Sequence, residues 1–205
     1  MPGVRIGLDF DNTIIRYDDV FVAAAVERGL VPAGFKGGKQ AVRDAIRLRP
    51  DGERDWQRLQ GHVYGAGIGG ATAFTGLDHF LRRARAADAS VMIVSHKTKF
   101  GHYDPARVNL RTAATAWMEA RGFFAADGFA LIRDDVHFAS TRAEKLARIG
   151  ALHCDVFVDD LPEVLDDPDF PACVKRILFS ETTEQEHENY SVCPTWHCVE
   201  QMVFG

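Results

Sequence analysis

Short apolar runs alternate with longer amphipathic stretches along this chain. Residues 4–8 (VRIGL), 91–94 (VMIV), 156–158 (VFV) and 174–179 (VKRILF) are too short for helices and are rich in β-branched residues. They read as buried strands, and 129–132 (FALI) reads as another. Helical patterns cover 20–28, 39–48, 53–62, 77–87, 110–121, 141–150 and 196–203. The punctuation agrees. Gly29 and Pro32 end the first helix, Pro50 closes the second, and Asp51 stands where it can cap the third. Gly122 stops the fifth, and Thr141-x-x-Glu144 is a capping box that opens the sixth.

Strands separated by helices predict an α/β fold around a parallel sheet. Residues 15–73 break the alternation, because they are purely helical and lie between the first two strands. We therefore expect a core of residues 1–14 plus 74–205 and a helical cap insertion over 15–73. The stretch Gly65-x-Gly67-x-Gly69-Gly70 is glycine-rich, but no strand feeds it and no lysine-bearing helix leaves it. It reads as a flexible linker of the cap rather than a phosphate loop.

Composition narrows the field. The 205 residues are 46% apolar and 26% charged, with a formal net charge of −5. An acidic chain lacks the basic footprint of a nucleic-acid binder. No apolar run of the ~18 residues needed to span a bilayer is present. Nor does the N-terminus resemble a signal peptide, since its apolar run reads as a core strand. Cys154, Cys173, Cys193 and Cys198 are too few and scattered for a disulfide scaffold, so a reducing cytoplasm is the expected setting. Cys193, His197 and Cys198 match no usual zinc spacing. Within 15–73, nine Lys/Arg face seven Asp/Glu, a net of +2; this favours an anionic substrate or is an ordinary mixed helix surface. The acidic stretch 181–188 reads as a solvated loop.

The candidate chemistry sits where strands end. Asp9 and Asp11 follow the first strand, Ser95 follows 91–94, and Asp159 and Asp160 follow 156–158. Lys145 lies in the first turn of the helix before that last strand. Polar groups at the C-terminal ends of parallel strands gather in one crevice. Clustered carboxylates repel one another, and a divalent cation relieves this. An oxygen-only set suits Mg²⁺. Lys145 and Ser95 would then bind a phosphoryl group. Asp9 could attack phosphorus and Asp11 could act as acid and base. Asn12, Thr13, His96 and Lys97 lie in the two loops at this end and are candidate substrate contacts. Arg142 and Arg148 are close enough in sequence to compete for the role of Lys145, and Asp160 could instead cap the helix starting near Pro162.

Asp9-Phe10-Asp11-Asn12-Thr13 after an apolar strand resembles the D-x-D-x-T motif of the haloacid dehalogenase-like superfamily. Ser95, Lys145 in TRAEKLARIG and Asp159-Asp160 resemble its second, third and fourth motifs, in the family's order, and the helical insert resembles its C1-type cap. The resemblance implies a Rossmann-like, three-layer sheet of strand order 5-4-1-2-3. It also implies Mg²⁺ held by the Asp9 carboxylate, the Asp11 backbone carbonyl and an aspartate of the pair Asp159/Asp160. The acidic motif is D-D rather than G-D-x-x-x-D, and Glu163 is a candidate for the later acid.

The expected activity is a phosphatase acting on a small phosphorylated metabolite, a sugar phosphate first. A nucleoside monophosphate is the alternative, because D-D-x-P also resembles the family's deoxyribonucleotidases. A mutase and a non-catalytic binding protein are further readings. Family dehalogenases lack the second aspartate, so Asp11 argues against that activity. The sequence does not fix an oligomeric state.

Overall fold

A computed structural model describes residues 3–182 and 187–205. Part of the acidic stretch 181–188 therefore lies outside the described residues. The chain divides into two compact units. One joins the N-terminal stretch up to Ile15 with Ala73–Lys97 and Gly122–Gly205; the other joins Arg16–Thr72 with Thr98–Arg121.

The first unit is built on a parallel sheet. Its strands are β1 (Arg5–Leu8), β4 (Ser90–His96), β5 (Val136–Ala139), β6 (Val156–Asp159), β7 (Lys175–Phe179) and β8 (Ser191–Cys193). The two remaining strands, β2 (Ile15–Arg16) and β3 (Thr72–Ala73), form a separate pair where the chain passes between the units. The sheet order is β5-β4-β1-β6-β7-β8, and every pairing is parallel. Counted along the sheet strands alone this is 6-5-4-1-2-3. It is the expected 5-4-1-2-3 with one further strand, β8, at the edge.

Side chains alternate across the sheet as the two-residue period requires. Met92, Val94, Phe157 and Leu178 share one face with Leu146 and Ile149 of α6 (Arg142–Ala151) and with Val164 and Leu165 of α7 (Pro162–Leu165). Phe179 points the other way and meets Trp196 of α8 (Trp196–Phe204), which in turn packs on Phe80 of α4 (Leu77–Ala86). Helices thus cover both faces, as the all-parallel sheet demands. The capping box forms: the Thr141 hydroxyl accepts from Glu144 N–H at 3.1 Å, and the Glu144 carboxylate accepts from Ser140 N–H at 2.7 Å.

One strand is not where the apolar pattern put it. Residues 129–132 form a compact loop, and the strand is β5, seven residues further on. The loop spends its backbone donors locally. Phe129, Ala130 and Leu131 donate to the carbonyls of Gly122, Ala125 and Phe123. Ala130 adopts φ +56°, which no strand accepts. Phe129 packs its ring edge-on against Phe123, 5.3 Å away.

The second unit is helical. Its elements α1 (Asp18–Glu27), α2 (Lys39–Arg47) and α3 (Gly52–Tyr64) pack on one another around Phe21 and Trp56, stacked at 5.1 Å, with Tyr17 and Tyr64 edge-on. It also takes in 98–121, which sequence reading assigned to the core. Gly61 of α3 and Gly101 approach so closely that a Cβ on either would strike the other segment. Trp117 of α5 (Leu110–Ala120) donates its indole N–H to the Ala71 carbonyl at 3.0 Å. Asp51 precedes α3 as expected but adopts φ +58° and makes no side-chain cap bond. The glycine-rich stretch after α3 is a hydrogen-bonded 3-10 turn over Ile68–Gly70, with Ile68 buried.

Cys193 and Cys198 are joined in a disulfide that ties β8 to the first turn of α8. This is a local link of five residues, and it commits both sulfurs of the zinc spacing considered above. Among the described residues, no helix is long and apolar enough to cross a membrane.

Candidate active site

The ladder between β1 and β6 continues one residue past β1, where Asp9 N–H donates to the Val158 carbonyl at 2.8 Å. That bond brings Asp9 beside Asp159 and Asp160. Carboxylate oxygens of these three residues lie within 4.8 Å of one another. Asp9 and Asp159 are buried, Asp159 completely.

Lys145 stands between them. Its ammonium donates to Asp9 Oδ1 and to Asp159 Oδ2, both at 2.6 Å, and the side chain is 1% exposed. Gly7 makes room for this. A Cβ there would strike the Phe157 ring, and that ring lies 5.5 Å from the Lys145 ammonium. Burial alone would push the Lys145 ammonium down, but attraction from Asp9 and Asp159 outweighs it and leaves its pKa raised. Asp9 moves up as well. Burial is the main cause, and Lys145 opposes it, while repulsion from Asp159, Asp160 and Asp11 adds to it. Arg142, the sequence competitor, instead pairs with Asp167 at 3.6 Å with its side chain half exposed.

A tight turn follows Asp9. The Phe10 carbonyl accepts from Ile14 and Ile15, and Asn12 takes the left-handed φ of +58° that asparagine tolerates. Asn12 then donates its amide to Asp160 Oδ2 at 3.2 Å. The other oxygen of Asp159 accepts from Leu161 N–H at 3.0 Å. Asp11 is held from the residue after β4: the Lys97 ammonium reaches both its oxygens, at 2.9 and 2.7 Å.

Two hydroxyls complete the set. Ser95 Oγ and Thr13 Oγ1 are buried and have no protein partner. A buried hydroxyl without a partner is costly, and a bound group would supply one. His96 falls on the other side of its strand, exposed, with its ring 3.0 Å from the Ser140 carbonyl. Sequence reading treated Trp196 as core. It is fully buried, and its indole N–H also donates to the Thr13 carbonyl at 3.3 Å, fixing the turn. Nothing in the sequence pattern links residues 183 positions apart.

The residues present suit a hard divalent cation. The donors are oxygen only, Asp9 is pushed up by burial and then by its neighbours' charge, and Lys145 balances only part of three carboxylates.

No family model and no curated relative matches this sequence. Solved structures do match over nearly the whole chain. A haloacid dehalogenase-like family hydrolase from Xanthomonas campestris aligns with TM-score 0.55 and 15% identity, covering 99% of this chain and 96% of that one. An L-2-haloacid dehalogenase gives 0.58 and 14%, covering both chains fully. The protein tyrosine kinase A of Mycobacterium tuberculosis gives 0.61 and 13%, covering 100% and 99%. The chain has the haloacid dehalogenase-like fold. In this fold, Asp9, Asp159, Asp160 and Lys145 come together at the C-terminal ends of β1 and β6, and Ser95 lies near the C-terminal end of the neighbouring β4, the end at which open parallel sheets bind ligands. The names of these neighbours span hydrolase, dehalogenase and kinase, so the fold alone does not choose a reaction.

Proposed function

We propose that the protein is a magnesium-dependent phosphohydrolase that cleaves a small phosphomonoester through an aspartyl-phosphate on Asp9. The observation that carries this is the joint placement of two kinds of group. Three carboxylates converge, two of them on Lys145, and two buried hydroxyls beside this turn and strand lack partners. A metal alone would use the first set; a phosphoryl group gives the second set something to bond.

Asp9, Asp159 and Asp160 would hold the cation, with the Asp11 carbonyl as a further ligand. When bound, Mg²⁺ supplies charge neutralisation at the phosphoryl oxygens. The rest of the chemistry belongs to side chains. Lys145 engages Asp9 Oδ1 and leaves the second oxygen for attack on phosphorus. As the new O–P bond forms, the ester P–O bond breaks, and Asp11 gives a proton to the leaving oxygen. Ser95 and Thr13 donate to the non-bridging oxygens, and Lys145 balances their charge. Water then attacks the phosphoaspartate, passes its proton to Asp11 and releases phosphate, which regenerates Asp9.

Asp11 favours hydrolysis of a phosphoester over dehalogenation, because halide needs no proton to leave. A sugar phosphate is the substrate class we favour, with a nucleoside monophosphate next. The helical insertion 15–73 would serve as the cap that selects it. The test is hydrolysis of p-nitrophenyl phosphate. Activity should vanish in EDTA and return with Mg²⁺; full activity in metal-free protein would refute the reading.

A further inference from the structure

Besides Lys145, one other cation is buried among the described residues. Lys97 lies one residue beyond β4, with its side chain 2% exposed. Sequence reading placed it among the substrate contacts. Its position follows from the strand. Side chains alternate along β4, so Ser95 and Lys97 share one face and His96 takes the other; Ser95 and Lys97 are buried and His96 is exposed. The ladder to β5 carries on past the strand, with Lys97 N–H donating to the Ala139 carbonyl at 3.0 Å, which fixes the backbone. The Phe10 ring flanks the ammonium at 5.5 Å.

The two buried lysines grip differently. Lys145 takes one oxygen from each of two carboxylates, whereas Lys97 takes both oxygens of one. A two-point hold on a single carboxylate fixes its plane as well as its place. Asp11 itself is only half-buried, with 20% of its side chain exposed. It sits in a turn, and the two-point hold from Lys97 narrows the rotamers open to it.

We propose that Lys97 is a positioning residue for Asp11, orienting its carboxylate toward the leaving oxygen, rather than a contact for the phosphoryl group. The proposal rests on the phosphohydrolase reading. Its consequence is selective. Misplacing a catalytic group by about 1 Å costs ~10²-fold. In the first step that cost falls only on esters whose leaving group needs the proton; the later proton transfer from water to Asp11 is common to all esters.

The test compares Lys97→Met, Asp11→Asn and the double variant in the full chain with Mg²⁺, using p-nitrophenyl phosphate and a simple alkyl phosphate. Lys97→Met should lower kcat/KM, which reports the steps through departure of the leaving group, by ~10²-fold on the alkyl ester. The loss of kcat/KM on the nitrophenyl ester, whose leaving group needs no acid, should be several-fold at most. In the Asp11→Asn background, removing Lys97 should cost nothing further on the alkyl ester. Equal losses of kcat/KM on the two esters, or full additivity with Asp11→Asn, would overturn the proposal. If Lys97→Met does not fold by circular dichroism, Lys97→Gln is read the same way. A wild-type chain inactive on both esters would overturn the phosphohydrolase reading, and this proposal with it.

Discussion

The two units bury very different things. Among the described residues, six of the seven that are buried and polar or charged lie in the sheet unit: Asp9, Thr13, Ser95, Lys97, Lys145 and Asp159. The seventh, Asp104, lies in the helical unit. Its interior is otherwise apolar and aromatic, built from Tyr17, Phe21, Trp56, Leu59 and Val63. Buried charge is expensive unless it is paired. The sheet unit accepts that cost at the ends of three adjacent strands, which points to chemistry there. The helical unit has the interior of an element whose task is to keep its shape.

This contrast can be broken at its strongest point first. Lys145→Met removes the cation that two buried carboxylates share. Breaking a buried ion pair by removing one partner costs roughly 3–5 kcal/mol. Thermal melts in EDTA should therefore show a large loss of stability, and turnover should be lost with it. A Tm close to that of the parent would mean Lys145 does not hold the carboxylates together.

Trp56→Ala sharpens the other side. It empties the stack on Phe21, and a buried Trp→Ala change costs about 3–5 kcal/mol. The expected outcome is a lower Tm with turnover of p-nitrophenyl phosphate kept within a few-fold at temperatures where the variant is folded. A loss of turnover as deep as that of Lys145→Met would end the division of labour between the units.

Much of this was legible in the sequence, for a physical reason. Strand ends are local features, so Asp9-x-Asp11, Ser95 and Asp159-Asp160 could be placed at the C-terminal ends of strands from short apolar runs alone. The capping box at Thr141 is local as well. What could not be read depends on distant partners. Lys97 reaches Asp11 across 86 positions, and Trp196 reaches Thr13 across 183. Periodicity gave the burial of Lys97 no hint of its partner. The third sheet strand was misplaced because FALI is more apolar than VHFA. Apolar content marks burial, not extension, and the FALI backbone was already engaged by residues 122–125. The edge strand Ser191–Cys193 was missed because three residues are too few to establish a two-residue period.

The central claim is that Asp9 carries the phosphoryl group. Rapid-quench labelling with a ³²P-labelled ester the protein turns over, followed by peptide mapping, tests it most directly. The account predicts an acid-stable, hydroxylamine-sensitive label on the peptide that contains Asp9, absent in Asp9→Asn. Label on Ser95 or Asp11, or normal turnover by Asp9→Asn, would contradict it.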